Sequence, residues 1–354
     1  MAPVVKELSR YRGEVISAVC VTGQQREMLD QVLNLFQIKP NYDLNIMKPN
    51  QTLSGLTSAL FSSLDPIVSQ FKPDWVLAQG DTTTVFAASL VSFYNRVRFG
   101  HIEAGLRTGD KHHPFPEEIN RRVADLVADA FFAPTERSRQ ALLIEGVSPE
   151  NILVSGNTVV DSLLDVAGRA FDWSSSPLAF LSADAEIVLI TAHRRESFGA
   201  PFEEICLALR ELAERFTDKH FVYPVHLNPN VRRPVESILS AVNNIHLIEP
   251  VDYLTIVHLM KRACLILTDS GGIQEEAPSF GVPVLVMRET TERPEGIEAG
   301  VVKLVGTNRK TIVYEASQVL KSPRPCSISG ANPYGDGKAA CRIVEYLLRS
   351  TSSF

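Results

Sequence analysis

Short runs rich in Val, Ile and Leu recur along this chain, each followed by a polar turn and then by about ten to twenty residues of helical periodicity. That alternation is the pattern of a parallel sheet whose crossover connections are helices packed on both faces. In the first half the apolar runs lie at 14–22 (EVISAVCVT), 75–79 (WVLAQ), 97–102 (VRFGHI), 130–133 (AFFA) and 151–154 (NILV). In the second half EIVLITA, HFVYPV, IHLI, CLILT, PVLVM and VVKLV follow as further strands. Between the two series, residues 172–185 (DWSSSPLAFLSADA) are rich in Ser, Ala and Pro without a period and read as a linker. The 354 residues are enough for two domains, each with its own core. Two α/β units joined by a linker imply a cleft, and ligands in such sheets bind beyond the carboxyl ends of the strands.

Composition narrows the function classes. A net charge of −6 argues against nucleic acid or an anionic membrane surface as partner, so an anionic ligand would need local basic groups. The five cysteines (Cys20, Cys206, Cys264, Cys326 and Cys341) are scattered and form no C-x-x-C pair, which argues against a disulfide framework or a zinc ribbon. No apolar stretch of about 18 residues and no signal peptide is present, so a cytoplasmic enzyme is the class expected.

Polar groups collect where the apolar runs stop. WVLAQ is followed by Gly80-Asp81-Thr82-Thr83-Thr84 and VRFGHI by Glu103-Ala104-Gly105-Leu106-Arg107. EIVLITA leads to His193-Arg194-Arg195-Glu196-Ser197, FVYPV to His226-Leu227-Asn228, and CLILT to Asp269-Ser270-Gly271-Gly272. The last of these opens a helix, whose free N–H groups and partial positive charge suit a phosphate. Each motif also has a plain structural reading. Asp81 could be a helix cap, and Glu117 and Glu118 could simply favour a helix first turn. His193 and His226 could be satisfied polar residues near a core, and the adjacent His112 and His113 lack partners at ligand spacing and read as surface.

The ordered set GDTTT, HIEAGLRTGD, FPEEINRR, GNTVVDSLL, HRRESFG, YPVHLNPN, LTDSGGIQEEAPSFGVPVLVMRETTERPE and NPYGDG runs through almost the whole chain. It closely resembles the non-hydrolysing UDP-N-acetylglucosamine 2-epimerases. The resemblance implies two Rossmann-like doubly wound domains of the glycosyltransferase-B type with the active site in the interdomain cleft. The first would comprise residues 1–168 joined by a C-terminal helix at 338–354, and the second residues 169–337. It further implies a cytoplasmic homodimer serving polysaccharide biosynthesis, interconverting UDP-GlcNAc and UDP-ManNAc without metal or other cofactor. A hydrolysing epimerase that releases UDP and free ManNAc, a glycosyltransferase of the same fold and an inactive UDP-sugar binder are the alternatives.

Inverting C2 of a sugar nucleotide requires removal of a poorly acidic proton. An elimination route takes that proton as UDP leaves C1, giving 2-acetamidoglucal, and then adds UDP back after protonation on the other face. Such a route needs a diphosphate cradle and carboxyl groups for proton traffic. By resemblance, the backbone of Ser270, Gly271 and Gly272 holds phosphate, Glu276 takes the ribose hydroxyls, Arg293 is a further nucleotide contact, and His193 donates to the diphosphate. Asp81, Glu103 and Glu117 surround the sugar, with Asp81 and Glu117 sharing the acid and base steps and Glu103 orienting them. Pro278 implies that the helix after Gly271 is short or kinked. Bacterial members also bind a second UDP-GlcNAc as activator; Gln24, Arg194 and His226 match positions of that kind, while Glu27 and Ser58 stand where some members carry Gln and Arg.

The chain opens with MAPVVKELSRY, a helical pattern with Pro3 suited to a first turn and Val4, Val5 and Leu8 on one side. The resemblance implies a preceding strand ending in Gly-Thr-Arg-Pro-Glu. Without it, the expectation is reduced stability and weak turnover, because neighbouring strands lose their backbone partners.

Overall fold

A computed structural model describes residues 1–24, 26–48, 50–322 and 332–351. Cys326 and the last three residues expected in the C-terminal helix lie outside the described residues. The chain divides into two compact units, Met1–Ser162 with Tyr334–Phe354, and Leu163–Pro333.

The first unit contains a parallel pair, β1 (Cys20–Val21) with β2 (Tyr42–Asp43), and a four-stranded parallel sheet of β3 (Trp75–Gln79), β4 (Arg98–Ile102), β5 (Ala130–Ala133) and β6 (Ile152–Val154) in that order. Along β3 and β4 the register pairs Gln79 with Ile102, so the residues that follow, Gly80 and Glu103, leave the sheet side by side. The helix Leu53–Phe71 buries Leu56, Leu60, Leu64 and Val68, a four-residue spacing that lays one stripe against Ala87 and Val91 of the helix Thr83–Tyr94. The N-terminal helix Ala2–Leu8 packs Val4 with Ile343, Val344 and Leu347 of the C-terminal helix Ala339–Thr351. That last helix is capped by Asp161, whose carboxylate accepts from the N–H groups of Ala339 (3.2 Å) and Ala340 (2.8 Å). Beside it the backbone crosses itself closely. A Cβ on Gly156, which has φ +85°, would lie 3.2 Å from the Cα of Gly335.

The second unit is a six-stranded parallel sheet built from β7 (Ile187–Thr191), β8 (His220–Pro224), β9 (Ile245–Ile248), β10 (Ala263–Thr268), β11 (Val284–Val286) and β12 (Val302–Leu304). Its spatial order is β12-β11-β10-β7-β8-β9, the doubly wound order in which the chain direction across the sheet reverses between β7 and β10. Val188, Ile190, Phe221 and Tyr223 of the sheet are buried against Phe202, Ile205, Leu209 and Leu212 of the helix Ala200–Arg215. Strands buried on both faces read as unbroken apolar runs, which is why the sequence shows them so plainly. Among the described residues no helix is long and apolar enough to cross a membrane.

Two expectations are corrected. The run 14–22 is strand only at Cys20–Val21; Glu14 and Val15 donate to the Tyr11 carbonyl in a turn, and Ile16 is exposed. Its partner β2 is too short to have a sequence signature. Residues 172–185 belong to the second unit and do not form a free linker, because Leu178 and Leu181 are buried and Trp173 packs edge-on to Phe171 with its rings 4.8 Å apart. The helix expected to be shortened at Pro278 does end early: Gly271–Glu276 is followed by a 3-10 turn at Ala277–Phe280.

Leu178→Ala is therefore expected to lower unfolding stability by about 2–5 kcal/mol, measured by denaturant titration. A free linker would lose nothing.

Candidate active site

In the first unit the site is organised by the helix Glu117–Val127, whose buried face is polar: Glu118, Asn120, Arg121 and Asp125. Asn120 Nδ2 donates to the Asp81 carbonyl (2.9 Å) and Arg121 Nη2 donates to Asp81 Oδ2 (2.5 Å). Asp81 is thus an ion-pair partner and not a cap; the N-cap of the next helix is Thr82. One turn further along, Asp125 accepts from His101 Nδ1 (2.5 Å), Gly105 N–H (3.2 Å) and Arg107 Nη2 (2.7 Å). His101 Nε2 in turn faces the Gly80 carbonyl at 2.7 Å. Both ring nitrogens of this sealed histidine meet oxygen acceptors, so both carry protons. Burial pulls His101 down, yet the Asp125 charge and hydrogen bond hold it above its ordinary value; burial pushes Asp125 up, yet His101 and Arg107 hold it below.

These contacts set the two carboxylates that follow β3 and β4. Glu103 adopts the left-handed region (φ +70°), costly for a residue with a side chain, and is held there by its own N–H and that of Ala104, both donating to the Phe132 carbonyl. Its Oε1 accepts from Asn157 Nδ2 (3.2 Å) and its Oε2 from Gln79 Nε2 (3.4 Å). A Cβ on Gly80 would lie 3.5 Å from Glu103 Oε2, so Glu103 reaches over the turn that carries Asp81. Glu117 starts the helix, half-buried, and Glu118 beside it is buried with Oε2 accepting from Thr108 N–H (3.2 Å). The first unit therefore brings the Asp81 and Glu103 turns together, and Glu117 begins the helix whose Asn120 and Arg121 hold Asp81. His112 and His113 are exposed.

In the second unit the site lies where the sheet reverses. β7 and β10 are neighbours, Thr191 opposite Thr268, and the residues beyond them meet. Asp269 is fully buried, and its Oδ2 accepts the N–H groups of His193 (2.6 Å) and Arg194 (2.7 Å). Burial pushes its carboxyl above the ordinary range, against the pull of these N–H groups and the His193 charge. The His193 ring stacks on His226 with centroids 5.4 Å apart and planes 9° apart. Burial lowers its pKa; Asp269 opposes this, while His226 and Arg194 add to it. Ser270 caps the short helix Gly271–Glu276 without a side-chain hydrogen bond, and a Cβ on Gly271 would sit 3.6 Å from Arg194 Nη2. A cationic group thus lies over the helix start.

Deeper in this helix Gln274 accepts from Thr291 Oγ1 (2.6 Å), Glu275 accepts from Arg293 Nε, and Glu276 accepts from Tyr253 O–H (2.5 Å). Burial raises the Glu276 carboxyl to about 7, with Tyr253 opposing and Glu275 adding. His193, Ser270, Gly271, Gly272, Glu276 and Arg293 thus share one end of the second sheet. Of the three residues matched to an activator site, Arg194 and His226 flank His193, whereas Gln24 belongs to the first unit, its Oε1 accepting from Thr84 Oγ1 (3.3 Å).

Comparison with known proteins decides the family. The family profile described as UDP-N-acetylglucosamine 2-epimerase matches residues 6–348. The chain belongs to the UDP-N-acetylglucosamine 2-epimerase family. The UDP-N-acetylglucosamine 2-epimerase of Escherichia coli O157:H7 is 54% identical over 355 residues, covering 98% of this chain and 94% of that protein. The crystal structure of the Neisseria meningitidis UDP-GlcNAc 2-epimerase bound to UDP-GlcNAc superposes with a TM-score of 0.88 at 48% identity, covering 99% of this chain and 96% of that one. The Methanocaldococcus jannaschii enzyme in complex with UDP-GlcNAc and UDP gives 0.79 at 32% identity, with 98% and 95% covered. As a member of the UDP-N-acetylglucosamine 2-epimerase family, the chain has paired α/β units of the glycosyltransferase-B type.

Sequence reasoning on this epimerase-family chain missed Asn120, Arg121, Asp125 and His101 in the first unit, and Asp269 and Tyr253 in the second. One signal was available. Glu117, Arg121 and Asp125 are spaced four apart and so share a helix face.

The raised Glu276 carboxyl has a definite sign. Between its ordinary 4.5 and about 7 the folded chain holds a proton that the unfolded chain releases, so this group makes stability fall as pH rises through that window. The loss is about 3 kcal/mol, and Glu276→Gln is expected to flatten that slope in denaturant titrations at pH 5 and pH 8.

Proposed function

We propose that this protein interconverts UDP-GlcNAc and UDP-ManNAc by eliminating UDP to 2-acetamidoglucal and adding it back, without net hydrolysis. The observation that carries this reading is the pairing of chemistries: carboxylates just past two strand ends of one unit, with a third at the start of the helix that holds Asp81, and an arginine-topped helix start beside a histidine at the switch point of the other. Family membership and relatives that bind UDP-GlcNAc and UDP support it.

In this reading the second unit holds UDP. The N–H groups of Gly271 and Gly272 and the Arg194 guanidinium receive the diphosphate, His193 donates to it as the C1–O bond breaks, and Glu276, fixed by Tyr253, takes the ribose hydroxyls; Arg293 acts through Glu275 at the same helix. The first unit handles the proton. Asp81 and Glu117 exchange hydrogen with C2 on opposite faces of the sugar, and Glu103, held by Gln79 and Asn157, orients these two carboxylates. The Arg121 ion pair holds the Asp81 carboxylate in place. No metal or redox cofactor enters this scheme, and we place the enzyme in the cytoplasm as a homodimer. Gln24, Arg194 and His226 are the candidates for activation by a second UDP-GlcNAc.

Proton NMR of UDP-GlcNAc with the protein in deuterated water tests this directly. UDP-ManNAc should accumulate with deuterium at C2 in both sugars. Free ManNAc with stoichiometric UDP would instead identify a hydrolysing enzyme. Asp81→Asn and Glu117→Gln should each slow C2 exchange by about a hundredfold or more. A variant that still exchanges at the original rate removes that residue from the proton-transfer step.

A further inference from the structure

The two oxygens of the Asp269 carboxylate have different surroundings. Oδ2 accepts two backbone N–H groups, His193 at 2.6 Å and Arg194 at 2.7 Å, which fix the group in place. Oδ1 is equally buried and has no hydrogen-bond partner. The group facing it is the ring of His193, whose Nδ1 lies 3.6 Å away. That is longer than a hydrogen bond, and such contacts at reaction centres commonly close when the reactant arrives. A buried acceptor left open toward one titratable ring is a feature that calls for a role.

The charges around His193 define that role. His226 stacks on its face, Arg194 follows it in the chain, and Tyr223, behind it, spends its hydroxyl proton on the Ala192 carbonyl at 2.5 Å. Among these neighbours Asp269 alone can be anionic at neutral pH. It is therefore the group that can stabilise an imidazolium against the others.

We propose that Asp269 is a positioning residue for His193: it accepts the Nδ1 proton, fixes the ring, and leaves the Nε2 N–H aimed at the departing diphosphate. This rests on the functional reading above. The electron pair of the C1–O bond leaves with UDP, the C2 proton goes to a carboxylate of the first unit, and Asp269 itself takes no proton. The device follows the logic of a histidine held by a buried carboxylate, in which the carboxylate sets tautomer and direction while the far nitrogen meets the reactant.

The test is a double-mutant cycle on the full chain. Turnover of UDP-GlcNAc is followed by NMR across pH for wild type, Asp269→Asn, His193→Asn and the double variant, with UDP binding measured by calorimetry. Asp269→Asn should lower kcat by about ten- to a hundredfold while UDP affinity changes by less than about threefold. It should move the high-pH loss of activity to lower pH, because the imidazolium loses its counter-charge. In the His193→Asn background the same change should cost less than about twofold. An equal loss in both backgrounds, or an unmoved pH limb, would overturn the proposal and leave Asp269 a fastener of strand ends. Should Asp269→Asn not fold, long-range 15N–1H spectra of wild type across pH decide: a His193 that keeps its proton on Nδ1 when neutral and gains the second on Nε2 as pH falls supports the inference, and a bare Nδ1 in the neutral ring refutes it. If wild type does not convert UDP-GlcNAc at all, the functional reading fails while those spectra still test the His193–Asp269 contact.

Discussion

The buried carboxylate of Asp125 is the fastening on which the strand-end turns of the first unit depend. It binds His101 from β4, the N–H of Gly105 in the next loop and the guanidinium of Arg107, and through His101 it reaches the Gly80 carbonyl beyond β3. Arg107 continues the chain of charges to Glu145 at 2.8 Å. His101, Gly105 and Asp125 are buried and Arg107 half-buried, with only Glu145 at the surface, and a buried charge that loses its partner costs about 3–5 kcal/mol, far more than the pair contributes on balance. The consequence is geometric. The turns carrying Asp81 and Glu103 cannot shift independently, because both are tied to one helix that itself begins with Glu117.

That arrangement also explains what could be read from the residues and what could not. The strands of the second unit were legible to within about a residue at each end, since a parallel strand covered on both faces must be continuously apolar. So were the polar residues just past the strands, because irregular backbone at that edge has room for little else. The face of Glu117–Val127 that carries Glu117, Arg121 and Asp125 was legible as a shared face but not as a buried one. Arg121 and Asp125 look like the solvated side of an ordinary amphipathic helix, and only their partners, His101 and Asp81, about 20 and 40 positions away in the chain, make their burial possible. Leu178 was hidden for the opposite reason: single buried leucines in a Ser- and Pro-rich segment have no period to announce them.

The order of strands in the second unit supplies the reason its strand-end polar residues meet. With β7 and β10 adjacent in the sheet, the crossover after β7 runs to one side and the chain entering β10 returns from the other, opening a gap beyond their carboxyl ends. His193 and Ser270 lie 77 positions apart in sequence and become neighbours only through this topology. The hydroxyls of Thr191 and Thr268 bond across the last rung at 2.6 Å, and Thr268 Oγ1 also accepts the Ser270 N–H at 2.9 Å. The Ser270 turn is therefore tied directly to the last rung of the sheet. The Arg194 guanidinium covers the backbone at Gly271, where an added Cβ would lie in ordinary contact with Nη2 at 3.6 Å.

Both units solve the problem of fixing a histidine at a strand end with a buried aspartate, yet they do so to different ends. His101 is sealed, its side chain 0% exposed and both nitrogens committed, so it can hold a loop but can exchange no proton with a reactant. His193 is 40% exposed, with one nitrogen turned to Asp269 and the ring edge free. In the first case desolvation is overcome by two acceptors and the ring stays charged; in the second it is only partly offset, and the ring sits below its ordinary pKa, poised to change charge when an anion arrives. Approach of a diphosphate would raise that pKa in the same way that Asp125 raises that of His101. The difference between the two histidines in this fold is thus an open direction: both nitrogens of His101 are committed, whereas the His193 ring stays partly exposed.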